Sequence, residues 1–101
     1  MNTLISNKVN QIKELCVKYD VKSMHLFGSS SGNSFTKESD VDILIEFKDI
    51  SFEKYTDNYF GLHYDLEALL KRKIDLVTVN SLSNPYFIQS IEETKQLLYA
   101  A

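Results

Sequence analysis

A chain of 101 residues is long enough for one domain and too short for a second independent core. With 44% hydrophobic and 25% charged residues it has an ordinary globular composition, which excludes a disordered or fibrous chain. A formal net charge of -3 provides no broad basic field, so no stable binding of nucleic acid through its phosphates is expected, although a local anion site is compatible with it.

From Leu4 to Tyr19 the residues Ile5, Val9, Ile12, Cys16 and Tyr19 return at steps of four and three, which predicts one amphipathic helix. Lys22 to Phe27 reads as a short strand ending at Gly28, and Ser29 to Ser34 as a polar loop rich in turn formers. Val41, Ile43, Ile45 and Phe47 alternate with Asp42, Leu44 and Glu46, the period of a second strand. Helical spacing resumes at Phe52, Tyr55, Tyr59, Leu62, Leu66 and Leu69, with Asp57 to Leu70 the firmest part because Gly61 interrupts the pattern. Lys71, Arg72 and Lys73 suit a helix C-terminus, and Ile74 to Val79 reads as a third strand. Asn84 as cap and Pro85 at the first helical position announce a last helix, with Phe87, Ile91 and Leu98 on one face. The order helix, strand, strand, helix, strand, helix predicts a single α/β domain over residues 1–101, a small mixed sheet of three or more strands backed by helices on one side.

The aromatic group Tyr55, Tyr59, Phe60 and Tyr64 is expected in the core, and His25 and His63 are expected to be structural rather than ligands. Cys16, on the buried helical face, reads as inert packing. As the lone cysteine it rules out an intramolecular disulfide framework, and without a secretory signal or a bilayer-spanning run the expectation is a cytoplasmic chain with no membrane partner.

The chemistry concentrates where strands begin and end. Gly28-Ser29 closes the first strand, and Asp40-Val41-Asp42 opens the second after ten intervening residues. Residues two apart on a strand share a face roughly 6.5 Å apart, so Asp40 and Asp42 aim at one place while Val41 points into the core. Asp75, near the start of the third strand, can join them if the strands are neighbours. Carboxylates gathered at such separations repel one another by a few kcal/mol at an effective dielectric of about 20, unless a cation occupies the cluster. Mg²⁺, which takes oxygen ligands and shares its remaining positions with substrate phosphates, is the natural occupant. The Gly28 to Asn33 segment, with Ser29 and Ser30 in it, supplies the complementary half: glycine permits close backbone approach, while exposed N–H groups and serine hydroxyls bind phosphate oxygens.

These residues resemble the DNA polymerase β nucleotidyltransferase superfamily, and most closely its minimal branch. The stretches LLKRKIDLVTV and NPYFIQSIEETKQLLYA are also similar to that branch's third-strand region and C-terminal helix. The resemblance implies that Asp40 and Asp42 bind both metals, that Asp75 completes one site and helps activate the incoming hydroxyl, and that Gly28 and Ser29, with Ser30, hold the phosphates of ATP or another NTP. One departure stands out, since many members carry arginine and then glycine where this chain has Gly32 and Asn33; Lys37 lies on the same loop.

Members of the branch are similar to antitoxins that add AMP to a tyrosine of a HEPN-type ribonuclease toxin, which makes such a protein the expected partner. The acceptor is expected from another molecule or subunit, because the last helix leaves no residues for an acceptor-binding domain. The alternative is a module that neutralises its partner by binding, with little or no transfer. Transfer to a small molecule such as an aminoglycoside is disfavoured for want of a helical acceptor domain, and self-association into a homo-oligomer is left open.

Overall fold

The computed structural model describes residues 2–32 and 35–101. Its first departure from the expected pattern is a break in the N-terminal helix, which forms as α1 (Thr3–Ser6) and α2 (Val9–Lys18). The Asn2 side chain accepts from the Ile5 amide to start α1, and Asn7, a weak helix former, stands at its C-terminal end. The predicted face survives the break, because Ile5, Ile12 and Cys16 are all buried. Burial pushes the Cys16 thiol up to about 12, which keeps it protonated and inert.

Strand β1 (Val21–Leu26), strand β2 (Val41–Phe47), helix α3 (Phe52–Leu70) and strand β3 (Ile74–Thr78) follow much as predicted. Ser51 caps α3 by accepting from the Lys54 amide, and Lys71 ends it in a left-handed conformation at φ 53°. Gly61 does not interrupt the helix. Its role is close approach: a Cβ there would lie 2.7 Å from the Tyr19 ring, so glycine lets the end of α2 seat against α3. Buried Asn58 fastens the same junction, donating to the Tyr19 carbonyl at 2.9 Å and to the Asp20 carboxylate at 3.1 Å.

The C-terminal reading needs correction. Helix α4 (Pro85–Thr94) is capped by Asn84 as predicted, but it stops short of Leu98, and Gln96–Ala100 forms a fourth strand, β4. The reason is tertiary. β2 covers one edge of β1, and the other edge still presents backbone donors and acceptors that β4 pairs with antiparallel. The segment Gln96-Leu97-Leu98-Tyr99 is too short for its apolar pattern to separate helix from strand.

The sheet order is β3-β2-β1-β4, with β2 and β3 parallel and the other neighbours antiparallel. Alternate residues of β2 divide its faces. Val41, Ile43, Ile45 and Phe47 join Leu62, Leu66 and Ile12 in the main core beneath α1, α2 and α3. Leu44 points the other way, where it meets Phe27 and Ile91 in a smaller cluster. Helix α4 therefore covers part of the opposite face, and the expectation of helices on one side only is not met.

The aromatic group also divides. Tyr55 and Tyr59 pack against the main core, whereas Phe60 and Tyr64 are 64% and 73% exposed. A helix resting on a sheet by one face leaves positions 60 and 64, one turn apart, toward solvent. Tyr55, Tyr59 and Phe60 line a cavity of about 290 Å³ beside Leu76 and Thr78 of β3. His25 lies in β1, and the His63 ring packs α3 onto β3 with Nε2 at 2.9 Å from the Ile74 carbonyl, both in keeping with structural roles. Among the described residues no helix is long and apolar enough to cross a membrane.

The strand assignment at the C-terminus is checked by neighbouring truncations. Leu98→Ala should cost about 2–4 kcal/mol in urea unfolding, since Leu98 is buried in the main core. Leu97→Ala, at a position 55% exposed, should cost about 0–1 kcal/mol.

Candidate active site

Parallel pairing of β2 with β3 sets Asp42 directly opposite Asp75. Adjacent strands lie roughly 4.8 Å apart, so two carboxylates of the same parity stand side by side on the face that Leu44 also occupies. Asp40 precedes the first residue of β2 and is exposed. It is still close enough for its charge to act on Asp42. The Asp42 carboxyl is raised to about 6, first by burial, then by the charge of Asp75, then by that of Asp40.

Of the three acids expected to converge, the structure pairs Asp42 with Asp75 and leaves Asp40 exposed ahead of the strand. Among the described residues, no three His, Cys, Asp or Glu side chains are gathered so as to hold a metal ion by themselves. Asp42 and Asp75 are neighbours, and Asp40, ahead of the strand and turned to solvent, completes no cage with them. This donor set suits Mg²⁺, which binds through one or two carboxylates and keeps waters or substrate phosphates in its other positions.

The loop after β1 is built onto these acids. Gly28 to Ser31 form a short 3-10 turn, with Gly28 at φ 61°. A Cβ on Gly28 would lie 2.8 Å from Asp42 Oδ2, so glycine is required both for the left-handed backbone and for contact with the carboxylate. The Gly28 amide donates to Thr94 Oγ1 at 2.9 Å, a contact that sequence reasoning did not anticipate because Thr94 carries no local motif.

Ser30, expected to bind phosphate, has a different task for its side chain. It is fully buried, its hydroxyl donates to the Asp40 carbonyl at 3.2 Å, and the same oxygen accepts from the Asp42 amide at 2.8 Å. One serine therefore clamps the Asp-Val-Asp backbone to the loop. Ser29 is half-buried at the same turn. Of the loop drawn from Ser29 to Ser34, Asn33 and Ser34 lie outside the described residues, and Gly32 is exposed with no charge of its own. Lys37 is exposed.

The basic trio after α3 also does more than end a helix. Arg72 donates to the carbonyls of Thr36 and Ser39, and its guanidinium lies 4.6 Å from the centre of the Phe35 ring. The Val41 amide donates to the Lys73 carbonyl at 3.0 Å. Both contacts hold the segment that delivers Asp40.

Comparison with known proteins identifies the family and the fold. Residues 9–98 match the model of the nucleotidyltransferase domain family. The chain is 45% identical over 76 residues to a Methanocaldococcus jannaschii protein whose name proposes a protein adenylyltransferase, with 75% of each chain covered. It is 38% identical over 73 residues to the protein adenylyltransferase MntA of Thermococcus cleftensis, covering 71% of this chain and 70% of that one. Among solved structures, one described as a proposed minimal nucleotidyltransferase superposes with a TM-score of 0.76 at 21% identity, covering 91% of this chain and 90% of that one. A chain from the complex of a tri-AMPylated Shewanella oneidensis HEPN toxin with its MNT antitoxin gives a TM-score of 0.66 at 22% identity, covering 95% and 72%. At these identities the superpositions speak for the fold.

The raised Asp42 carboxyl has a consequence for stability. Between the unfolded value of 3.8 and about 6 the folded state keeps a proton that the unfolded chain has released, so this group's contribution falls as pH rises through that window. Asp42→Asn should therefore raise the melting temperature at pH 7 in EDTA by several degrees. That corresponds to about 1–2 kcal/mol after allowance for solvent screening of a half-buried group. It should also flatten the pH dependence between 4 and 7 (the approximate window of that titration). Thermal melts at several pH values, with and without Mg²⁺, test both points. Wild type alone should gain stability from the cation.

Proposed function

Because the chain belongs to the nucleotidyltransferase domain family, we propose that it transfers AMP from Mg²⁺·ATP to a tyrosine hydroxyl of a HEPN-type toxin and so acts as an antitoxin. The observation that carries the reading is the register of β2 against β3. It sets Asp42 opposite Asp75 beside a glycine turn so close that a side chain at Gly28 would strike the Asp42 carboxylate. Relatives named as protein adenylyltransferases support protein as the acceptor, and the similar antitoxin crystallised with an AMPylated HEPN toxin supports the partner.

In the proposed reaction the acceptor oxygen forms a bond to the α-phosphorus, the bridging oxygen on the far side departs with pyrophosphate, and the hydroxyl proton is released. Asp42 and Asp75, with Asp40 at the rim, would hold Mg²⁺, which when bound supplies charge neutralisation of the attacking and leaving oxygens. Asp75 lies on the edge strand β3, where an incoming hydroxyl meets it without passing through the sheet, and it takes the proton. Ser29 and the backbone of the Gly28 turn orient the triphosphate. Ser30 keeps Asp40 and Asp42 in line from below, through the backbone rather than through the substrate.

A second reading, neutralisation by binding alone, is favoured by the open arrangement of the acids and by the uncharged Gly32 where many family members carry arginine. The two separate by experiment. The chain is incubated with a HEPN-type partner, ATP and Mg²⁺, and the partner is weighed by intact mass spectrometry. The expected result is an added AMP with wild type and none with Asp42→Asn, a loss of at least about a hundredfold in rate. A partner that binds tightly, gains no mass and is still neutralised by Asp42→Asn would leave only the binding reading.

A further inference from the structure

Helix α4 reaches the candidate site through one side chain. Thr94, its last residue, uses its hydroxyl twice: Oγ1 accepts from the Gly28 amide at 2.9 Å and donates to the Ser90 carbonyl at 2.9 Å. The helix is seated on the sheet by Ile91, which is 1% exposed and packs with Phe27 and Leu44. The Phe27 amide in turn donates to the Asp42 carbonyl at 3.1 Å, and the Gly28 carbonyl accepts from the Ser31 hydroxyl at 3.0 Å.

Three successive peptides are thus held by three different elements: the one before Phe27 by β2, the one between Phe27 and Gly28 by α4 through Thr94, and the one after Gly28 by Ser31. The middle peptide matters because Gly28 lies against the Asp42 carboxylate, so closely that one added methyl would strike Oδ2 at 2.8 Å. Rotating the peptide would move the wall against which the carboxylate rests.

We infer that Thr94 is a positioning residue for nucleotidyl transfer: through its hydrogen bond to Gly28 it sets both the phosphate-facing turn and the direction of the Asp42 carboxylate. The inference rests on the proposed nucleotidyltransferase reading. It adds to that reading a role for α4, which would otherwise only cover apolar surface. The hydroxyl's two contacts are with the backbone, at Gly28 and Ser90. Its effect passes through Gly28, which makes loss of the acceptor more damaging to ligand binding than to folding.

The test measures Mg²⁺·ATP binding to the intact chain by titration calorimetry, with thermal melts alongside. Thr94→Val keeps the shape and removes the hydroxyl; Thr94→Ala serves if the apolar branch unsettles the helix end. Either should weaken binding about tenfold, the scale of one lost hydrogen bond at a constrained site. Thr94→Ser, which keeps the acceptor, should stay within about twofold of wild type. Ile91→Val loosens the same helix without touching the hydroxyl; it should lower the melting temperature and leave affinity nearly unchanged. Wild-type affinity in both hydroxyl-free variants overturns the inference, as does an equal loss in Ile91→Val, which would make the role one of packing. Wild type failing to bind Mg²⁺·ATP is a different result, since it removes the nucleotidyltransferase reading on which the inference stands.

Discussion

Two carboxylates of one parity on neighbouring parallel strands repel each other, and burial of one of them makes the repulsion stronger. The surrounding structure is arranged to hold them there. Ser30 ties the Asp40 and Asp42 backbone to the first turn, Arg72 fastens the approaching segment by its carbonyls, and Gly28 closes the space beside the Asp42 carboxylate. No single contact among these is strong. Together they leave the acids little freedom to separate, so the electrostatic cost remains in the fold until a cation or a proton relieves it.

That arrangement explains how one small domain divides its labour. The face beneath α1, α2 and α3 carries the main core and most of the stabilising burial. The opposite face carries Asp42 and Leu44 two residues apart on one strand, the first a carboxyl paired with Asp75 and the second part of a small apolar cluster that seats α4. Because the pleat alternates, a strand contributes to both without compromise. The edge position of β3 adds access, since Asp75 is exposed where a second molecule can approach.

The loop residues show why residue type alone does not fix a role. Glycine followed by serines suggests a phosphate cradle, and the turn does form beside the acids. Yet the buried Ser30 hydroxyl is occupied by the backbone it supports, and the Gly28 amide is occupied by Thr94. A hydroxyl with a donor and an acceptor already in place has little left to offer a ligand. Among the described residues, the remaining turn atoms, the Ser29 hydroxyl among them, are left without such a partner for the role the proposed reaction asks of the loop.

Local pattern was enough to place the strands that carry Asp42 and Asp75, the capped start of α4 at Asn84-Pro85, and the buried face of α2, because alternation, periodicity and caps act within a few residues. It was enough, too, to single out the paired acids and the glycine turn, since their spacing is a property of the chain. The strand order, the Asp42–Asp75 pairing, β4 and the placing of α4 on the second face were decided by contacts between distant segments. Gln96–Ala100 became a strand because β1 had a free edge, and Thr94 met Gly28 because packing of Ile91 brought them together. Interactions across 66 positions of sequence, as between those last two residues, leave no periodic trace in the chain, so only the tertiary structure records them.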